Sequence, residues 1–348
     1  MLKVAATLIA LLVVIAALSS LGAPAFQRTA TEAVIKLVAV VGMSIFIGNS
    51  GVSSFGHVSF MAWGGYLSAL LTMTPEKKSV LLDLPDALEH LQLPWPLALP
   101  IVCVLAALGA LAIGYPLMRL KGIALPMATF AVLAITYVVA LNWRSVTGGR
   151  QALVGLPLFT TLWVAVAAAA LTIVVAALYH RSRRGLLLRC SRENEVAAAA
   201  TGINVSWERL IAFVLSAFFV ALAGVLFAHL LGTMTANTFY LDLTFVTLAM
   251  LVVGGQRSLT GAFAGVLLVS VVQEVFRSIE RGMSIGPVTL SAPPGLQEIA
   301  LALILLLVLI ARPDGMLGDR EIDLDGMGAW FRERVMSRLH VNSFRSED

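Results

Sequence analysis

The chain has 348 residues, 59% of them hydrophobic and 13% charged. A soluble domain carries about 25% charged residues, so this sequence has too little polar surface to cover a soluble core of its size. The net charge of +4 is small, and the basic residues gather in a few short segments facing one side of the membrane, which argues against nucleic acid as a partner.

Apolar runs of about 20 residues, in a chain this poor in charge, point to membrane spans. The first run covers Leu2–Leu21. Lys3 before it and Ala23-Pro24-Ala25 after it also fit a cleaved signal peptide, but an uncleaved span is the preferred reading. Span two covers Val34–Ile47, and a Gly/Ser-rich stretch leads to span three at Phe55–Met73. A mildly acidic loop, Thr74–Pro94, precedes span four at Pro96–Leu117 and span five at Ile123–Leu141. Span six is Thr160–Tyr179 and span seven Leu210–Leu231. Spans eight (Leu243–Gly255), nine (Gly261–Phe276) and ten (Glu298–Ala311) are short, which allows tilted, broken or re-entrant segments. The expected fold is an all-α transmembrane helix bundle of about ten spans, with eight as the lower bound. Residues 1–316 form the membrane domain and 317–348 a cytoplasmic tail, in which Ala329–Leu339 suits a short amphipathic helix on solvent or the membrane surface.

Charge sets the orientation. With the N-terminus inside, the inner segments hold 16 of the 24 Lys and Arg residues, most of them in the loop 180–209 and in the tail from Arg312. Both termini are then cytoplasmic. Glu32, Lys36, Glu274, Arg277 and Glu298 fall at span ends, where long side chains reach the interface. The span interiors show no buried Arg–carboxylate pair. That suits a hydrated conduit that binds its cargo weakly, with energy supplied by a partner.

Three segments carry polar groups in a pattern worth chemistry. The first is Gly48–Phe60, where Asn49, Ser50, Ser53, Ser54 and His57 accompany three glycines that weaken a helix. A helix break lining a water-filled path is one reading and close helix packing is the other. His57 alone suits a structural hydrogen bond, as does His229. The second is Asn142–Gly149, in which Asn142, Trp143 and Thr147 suit either an outer vestibule or an anchored loop. The third is the loop 180–209, where Arg192, Glu193, Asn194 and Glu195 precede a short helix at Val196–Ala200 that includes Ala198 and ends at Gly202. Docking on a cytoplasmic partner would explain such a helix, and a passive linker is the alternative.

Gly148–Gly155 and Gly254–Gly261 share a spacing of two glycines, three residues, Leu, one residue and Gly. The echo fits an inverted repeat, or chance, and leads us to expect interrupted helices near both segments. No metal-ligand spacing, nucleophile elbow or phosphate loop is present, so no catalytic or metal residue is assigned. Cys103 and Cys190 lie in an apolar stretch and a basic loop, and no disulfide joins them in this reading.

Together these segments resemble the permease family of branched-chain amino acid ABC importers, in its LivM branch. Gly48–His57, Phe60 and Gly64-Gly65-Tyr66 match a segment like G-Y-x-G-L-x-S-L-G-H followed by an aromatic and G-x-G/A-Y. Asn142–Gly149 and Gly155-Leu156-Pro157 match N-W-x-x-L/V-T-G-G and G-L/I-P. Arg192–Asn204 matches R-E-N-E-x-A-A-x-x-x-G-I-N without a gap, and Gly254–Gly261 matches G-G-x-G-S-L-x-G. The resemblance runs from about residue 34 to 316. Asn49 stands where the family often has Tyr, and Gln256-Arg257 replaces a small pair.

The resemblance implies a translocation subunit without enzymatic activity, in a bacterial inner membrane. It implies a sister permease, two ATPase subunits that bind the ATP, and a periplasmic substrate-binding protein, with Glu193–Gly202 as the coupling element. Branched-chain amino acids are the expected cargo. Asn49 keeps urea, short amides and other small amino acids open, and a stand-alone secondary transporter, a channel or a structural subunit are the rival classes.

Overall fold

An unpaired backbone N–H or C=O costs several kcal/mol in hydrocarbon, so an apolar run crossing a membrane must close its own hydrogen bonds. The computed structural model, which describes residues 1–280, 283–285, 288–290, 295–312 and 315–318, does so with helices almost throughout. They are α1 (Leu2–Ser20), α2 (Pro24–Ser50), α3 (His57–Thr72), α4 (Pro75–Leu81), α5 (Asp86–Glu89), α6 (Trp95–Leu117), α7 (Ala124–Asn142), α8 (Arg144–Thr147), α9 (Leu162–Arg181), α10 (Arg183–Glu193), α11 (Glu195–Ala200), α12 (Val205–Leu231), α13 (Leu241–Gly254), α14 (Leu259–Glu280) and α15 (Leu296–Ala311). Two short antiparallel pairs join loops: Leu153–Val154 with Thr233–Met234, and Met283–Ile285 with Val288–Leu290.

Each of the ten expected spans has its helix. Among the described residues, eight are long and apolar enough to cross a membrane, counting α13 with the 3-10 turn at Ala236–Phe239 that leads into it. The other two, α3 and α15, have 16 residues each. That length is about 24 Å, short of a hydrocarbon core of about 30 Å. The expected tail helix at Ala329–Leu339 lies outside the described residues, as does the side chain of Glu298.

The largest differences from expectation are at helix starts. α2 begins at Pro24, not Val34, and runs for 27 residues. Its first turns carry Arg28, Glu32 and Lys36, which lower the hydropathy without interrupting the helix. α12 also has 27 residues and begins at Val205, because the Asn204 side chain caps it by accepting from Trp207 N–H at 3.1 Å. The loop 180–209 contains a helix that was not expected, α10. Ser182 caps it by accepting from Gly185 N–H at 3.1 Å, and Leu188 anchors it in the core.

α2 and α12 form the centre of the bundle, and α3 packs on α12 and α6. The approach of α3 to α12 is very close. A Cβ on Gly64 would lie 2.1 Å from Ala221 O, and one on Gly224 would lie 1.9 Å from Met61 O. Small residues at helix crossings replace the hydrophobic effect as the source of packing in a bilayer. α13 and α14 form a hairpin of the same kind, where a Cβ on Gly265 would lie 1.9 Å from Met250 O.

Candidate translocation pathway and coupling junction

Polar groups concentrate where α2 ends. Asn49 and Ser50 are its last residues, and Gly51 closes it in a left-handed conformation, φ +70°. The chain is then non-helical until α3 starts at His57. Freed backbone groups find side-chain partners here, as a break away from water requires. Val52 N–H donates to Ser50 Oγ (3.2 Å) and Phe55 N–H to Thr129 Oγ1 on α7 (3.3 Å). His57 is fully buried, with Nδ1 2.8 Å from Ser54 Oγ and its ring packed among Phe46, Phe60 and Phe213. His229 likewise bridges elements, through Pro157 O (2.9 Å) and Ser68 Oγ (3.2 Å).

The basic loop reaches this break directly. Arg192 Nη1 donates to Gly48 O at 2.8 Å, one of the carbonyls left open at the end of α2. Its aliphatic stem covers Gly51, where a Cβ would fall 2.4 Å from Arg192 Cγ. A cation at a helix C-terminus is also favoured by the helix dipole. Glu193 balances the guanidinium at 2.9 Å from Nη2.

From Arg192 the chain passes into α11. Asn194 caps its start by accepting from Ala197 N–H at 3.0 Å. Its end is a Schellman turn: Ile203 N–H donates to Ala198 O, Gly202 N–H to Ala199 O, and Gly202 takes φ +86°. Ala198 is the residue α11 buries, and Val196 on the opposite side is 80% exposed. Glu195 pins the helix to the start of α12 through Arg209 at 2.9 Å, with Lys121 of the α6–α7 turn at 4.0 Å. The result is a small rigid knob outside the bundle, fixed to α12 on one side and to the end of α2 on the other.

The turn between α13 and α14 closes on the same place. A Cβ on Gly48 would lie 2.6 Å from Gln256 O, and Ser258 Oγ caps α14 by accepting from Gly261 N–H at 3.1 Å. The backbone of Met316 and Leu317 adds hydrogen bonds to Val253 O and Gly254 O. The three motifs at residues 48–57, 192–204 and 254–261 thus meet at one end of the bundle, called here the basic end.

Beside α2 a cavity of about 690 Å³ runs along α13, α14 and α15. At the basic end it is lined by Ser53 and Gln256, along the middle by apolar groups such as Phe245 and Leu248, and at the far end by Glu32, Lys36, Asp242 and Gln297. Of the five residues expected on a pathway, Ser53 alone lines it. Asn49 donates from Nδ2 to Ile45 O (2.9 Å) and faces a small cleft beside Gln256.

Lys36 requires a correction. Expected at a span end within reach of the interface, it is 7% exposed and folded inward. Its Nζ is 2.8 Å from Glu32 Oε1 and 3.2 Å from Gln273 Oε1 on α14, and Arg277 joins Glu32 (3.8 Å) and Glu274 (3.6 Å). A buried ion pair therefore exists in the spans after all. The i, i+4 spacing of Glu32 and Lys36 was the available signal.

The segment at Asn142–Gly149 serves the end of α7. Thr147 Oγ1 donates to Ala140 O and sits 2.7 Å from Trp143 O, while Gly148 and Gly149 take positive φ. Asn142 bonds to Val138 O of its own helix, and Trp143 is exposed. Both segments of the glycine echo lie at helix interruptions, as expected, and Gly255 takes φ +120°.

Multiple apolar crossings, a broken helix at the core and an elongated cavity with polar ends define a polytopic membrane protein of the transport class. The family model described as branched-chain amino acid transport system / permease component matches residues 25–311, and the chain belongs to that family. It is 25% identical to the high-affinity branched-chain amino acid transport system permease protein LivM of Escherichia coli K12, over 89% of this chain and 74% of that protein. The Salmonella typhimurium LT2 protein of the same name is 24% identical over the same shares. A probable LivM permease of Methanocaldococcus jannaschii is 28% identical over 40% of each chain. No solved structure gives a significant match.

Proposed function

We propose that the chain is the translocation subunit of an ATP-driven importer of branched-chain amino acids in a bacterial inner membrane, with the basic end in the cytoplasm. A sister permease, two ATPase subunits and a periplasmic binding protein complete the assembly. The carrying observation is the union of α11 with the broken end of α2. α11 is capped at both ends and presents Val196 and neighbouring alanines outward, as a helix seated in a groove of an ATPase would. Arg192 joins that helix to Gly48 and Gly51, so a push on the knob is delivered to the break beside the cavity. The chain itself supplies no nucleotide chemistry in this reading.

Asn49 does not favour urea or short amides, because its side chain is turned to its own helix and away from the cavity. The Lys36 ammonium is engaged by Glu32 and Gln273, so the pathway binds a zwitterion weakly and affinity resides in the binding protein. Reconstitution of the full assembly in proteoliposomes tests the proposal. Leucine uptake should require ATP, both ATPases and binding protein. Uptake by this chain alone, driven by an ion gradient, would refute it.

A further inference from the structure

On another side of the bundle, α6, α9 and α12 line an open cavity of about 700 Å³. Its walls are apolar along most of their length, with Leu111 from α6, Val175 and Leu178 from α9, and Leu215 and Phe218 from α12. One end differs. Tyr179, Ser182, Arg184 and Trp207 line it where α9 ends and α12 begins. Tyr179 is 7% exposed, and its buried hydroxyl has no hydrogen-bond partner. A buried phenol normally has one. Arg184 is exposed at this mouth, and it and Glu208 on α12 are the charged groups that act on Tyr179.

These observations specify a ligand with an apolar tail, an anionic head and an oxygen acceptor at their junction. The bilayer around the helices supplies such a molecule. Basic pockets between spans on the cytoplasmic side suit acidic headgroups, and tryptophan suits headgroup depth. We propose that this cavity binds an anionic glycerophospholipid from the leaflet at the basic end. An acyl chain lies between α6, α9 and α12, the phosphate meets Arg184, and Tyr179 donates to a phosphate or ester oxygen.

The test is native mass spectrometry of the full chain with its co-purifying subunits, in detergent, with phosphatidylglycerol or phosphatidylcholine added. Phosphatidylglycerol should be retained in preference. Arg184→Gln should cut its retention about fivefold, the effect of one cation near an anionic surface. Leu215→Trp should abolish retention by filling the slot while Arg184 remains. Should that variant fail to fold, Arg184→Gln and Tyr179→Phe decide, since the first lies on the surface and the second removes one oxygen. Equal retention of both lipids, or unchanged retention in Arg184→Gln and Tyr179→Phe, would overturn the proposal. So would a photo-crosslinker at Leu178 that captures a neighbouring subunit instead of lipid.

Discussion

α2 is held differently at its middle and at its C-terminal end. Near its middle Lys36 is buried and locked to Glu32 and Gln273, with Arg277 behind. At the basic end Arg192, near the end of α10, holds one open carbonyl and covers one glycine. A buried pair is costly to break because the partner left behind stays charged and out of water. A guanidinium on a helix end is worth less and can be moved by whatever moves its loop. The difference suits a helix fixed near its middle and driven at its basic end.

The largest effect should come from the fixed point. Lys36→Met leaves Glu32 half-paired and should cost about 3 kcal/mol, seen as a lower unfolding temperature of the purified permease. Adding Glu32→Leu should restore most of that loss. A single variant as stable as the parent would show that the lock is weak.

At the driven end, Gly51→Ala imposes about 1–2 kcal/mol for a left-handed conformation and pushes a Cβ into Arg192. Uptake should fall more than stability, measured in parallel by transport and thermal unfolding. Equal losses would make Gly51 a packing residue only. Gly202→Ala meets open space, so its cost is the conformational term alone, about 1 kcal/mol. Hydrogen exchange in α11 should quicken while α12 is unchanged. Asn49→Ala removes one buried hydrogen bond and should cost only about 1 kcal/mol, with the same order of substrate preference. A switch toward amides would return Asn49 to the pathway.

Much of this was legible in one dimension. The apolar runs gave every span, and the glycines between Gly48 and Gly56 marked the break. What hydropathy hid was charge. Arg28, Glu32 and Lys36 cut ten residues from the start of α2, and four arginines masked α10 although Leu186-Leu187-Leu188 is a good helix former. The burial of Lys36 depends on Gln273, 237 residues away. The bond from Arg192 to Gly48 spans 144 residues. No local pattern contains such pairings, so the motifs were readable singly and their meeting was not. Ser53 was expected on the pathway for its hydroxyl. It lines the cavity because the break turns it there, whereas Ser54 is turned to His57.

The central claim is that Arg192 carries motion from α11 to the end of α2. The direct measurement is leucine uptake per ATP hydrolysed, in proteoliposomes holding the full assembly with Arg192→Ala. Hydrolysis should persist, because α11 keeps its caps and its Glu195–Arg209 tie. Uptake per ATP should fall about tenfold, equivalent to ~1.4 kcal/mol of lost coupling. An unchanged ratio in a fully assembled variant would contradict the account.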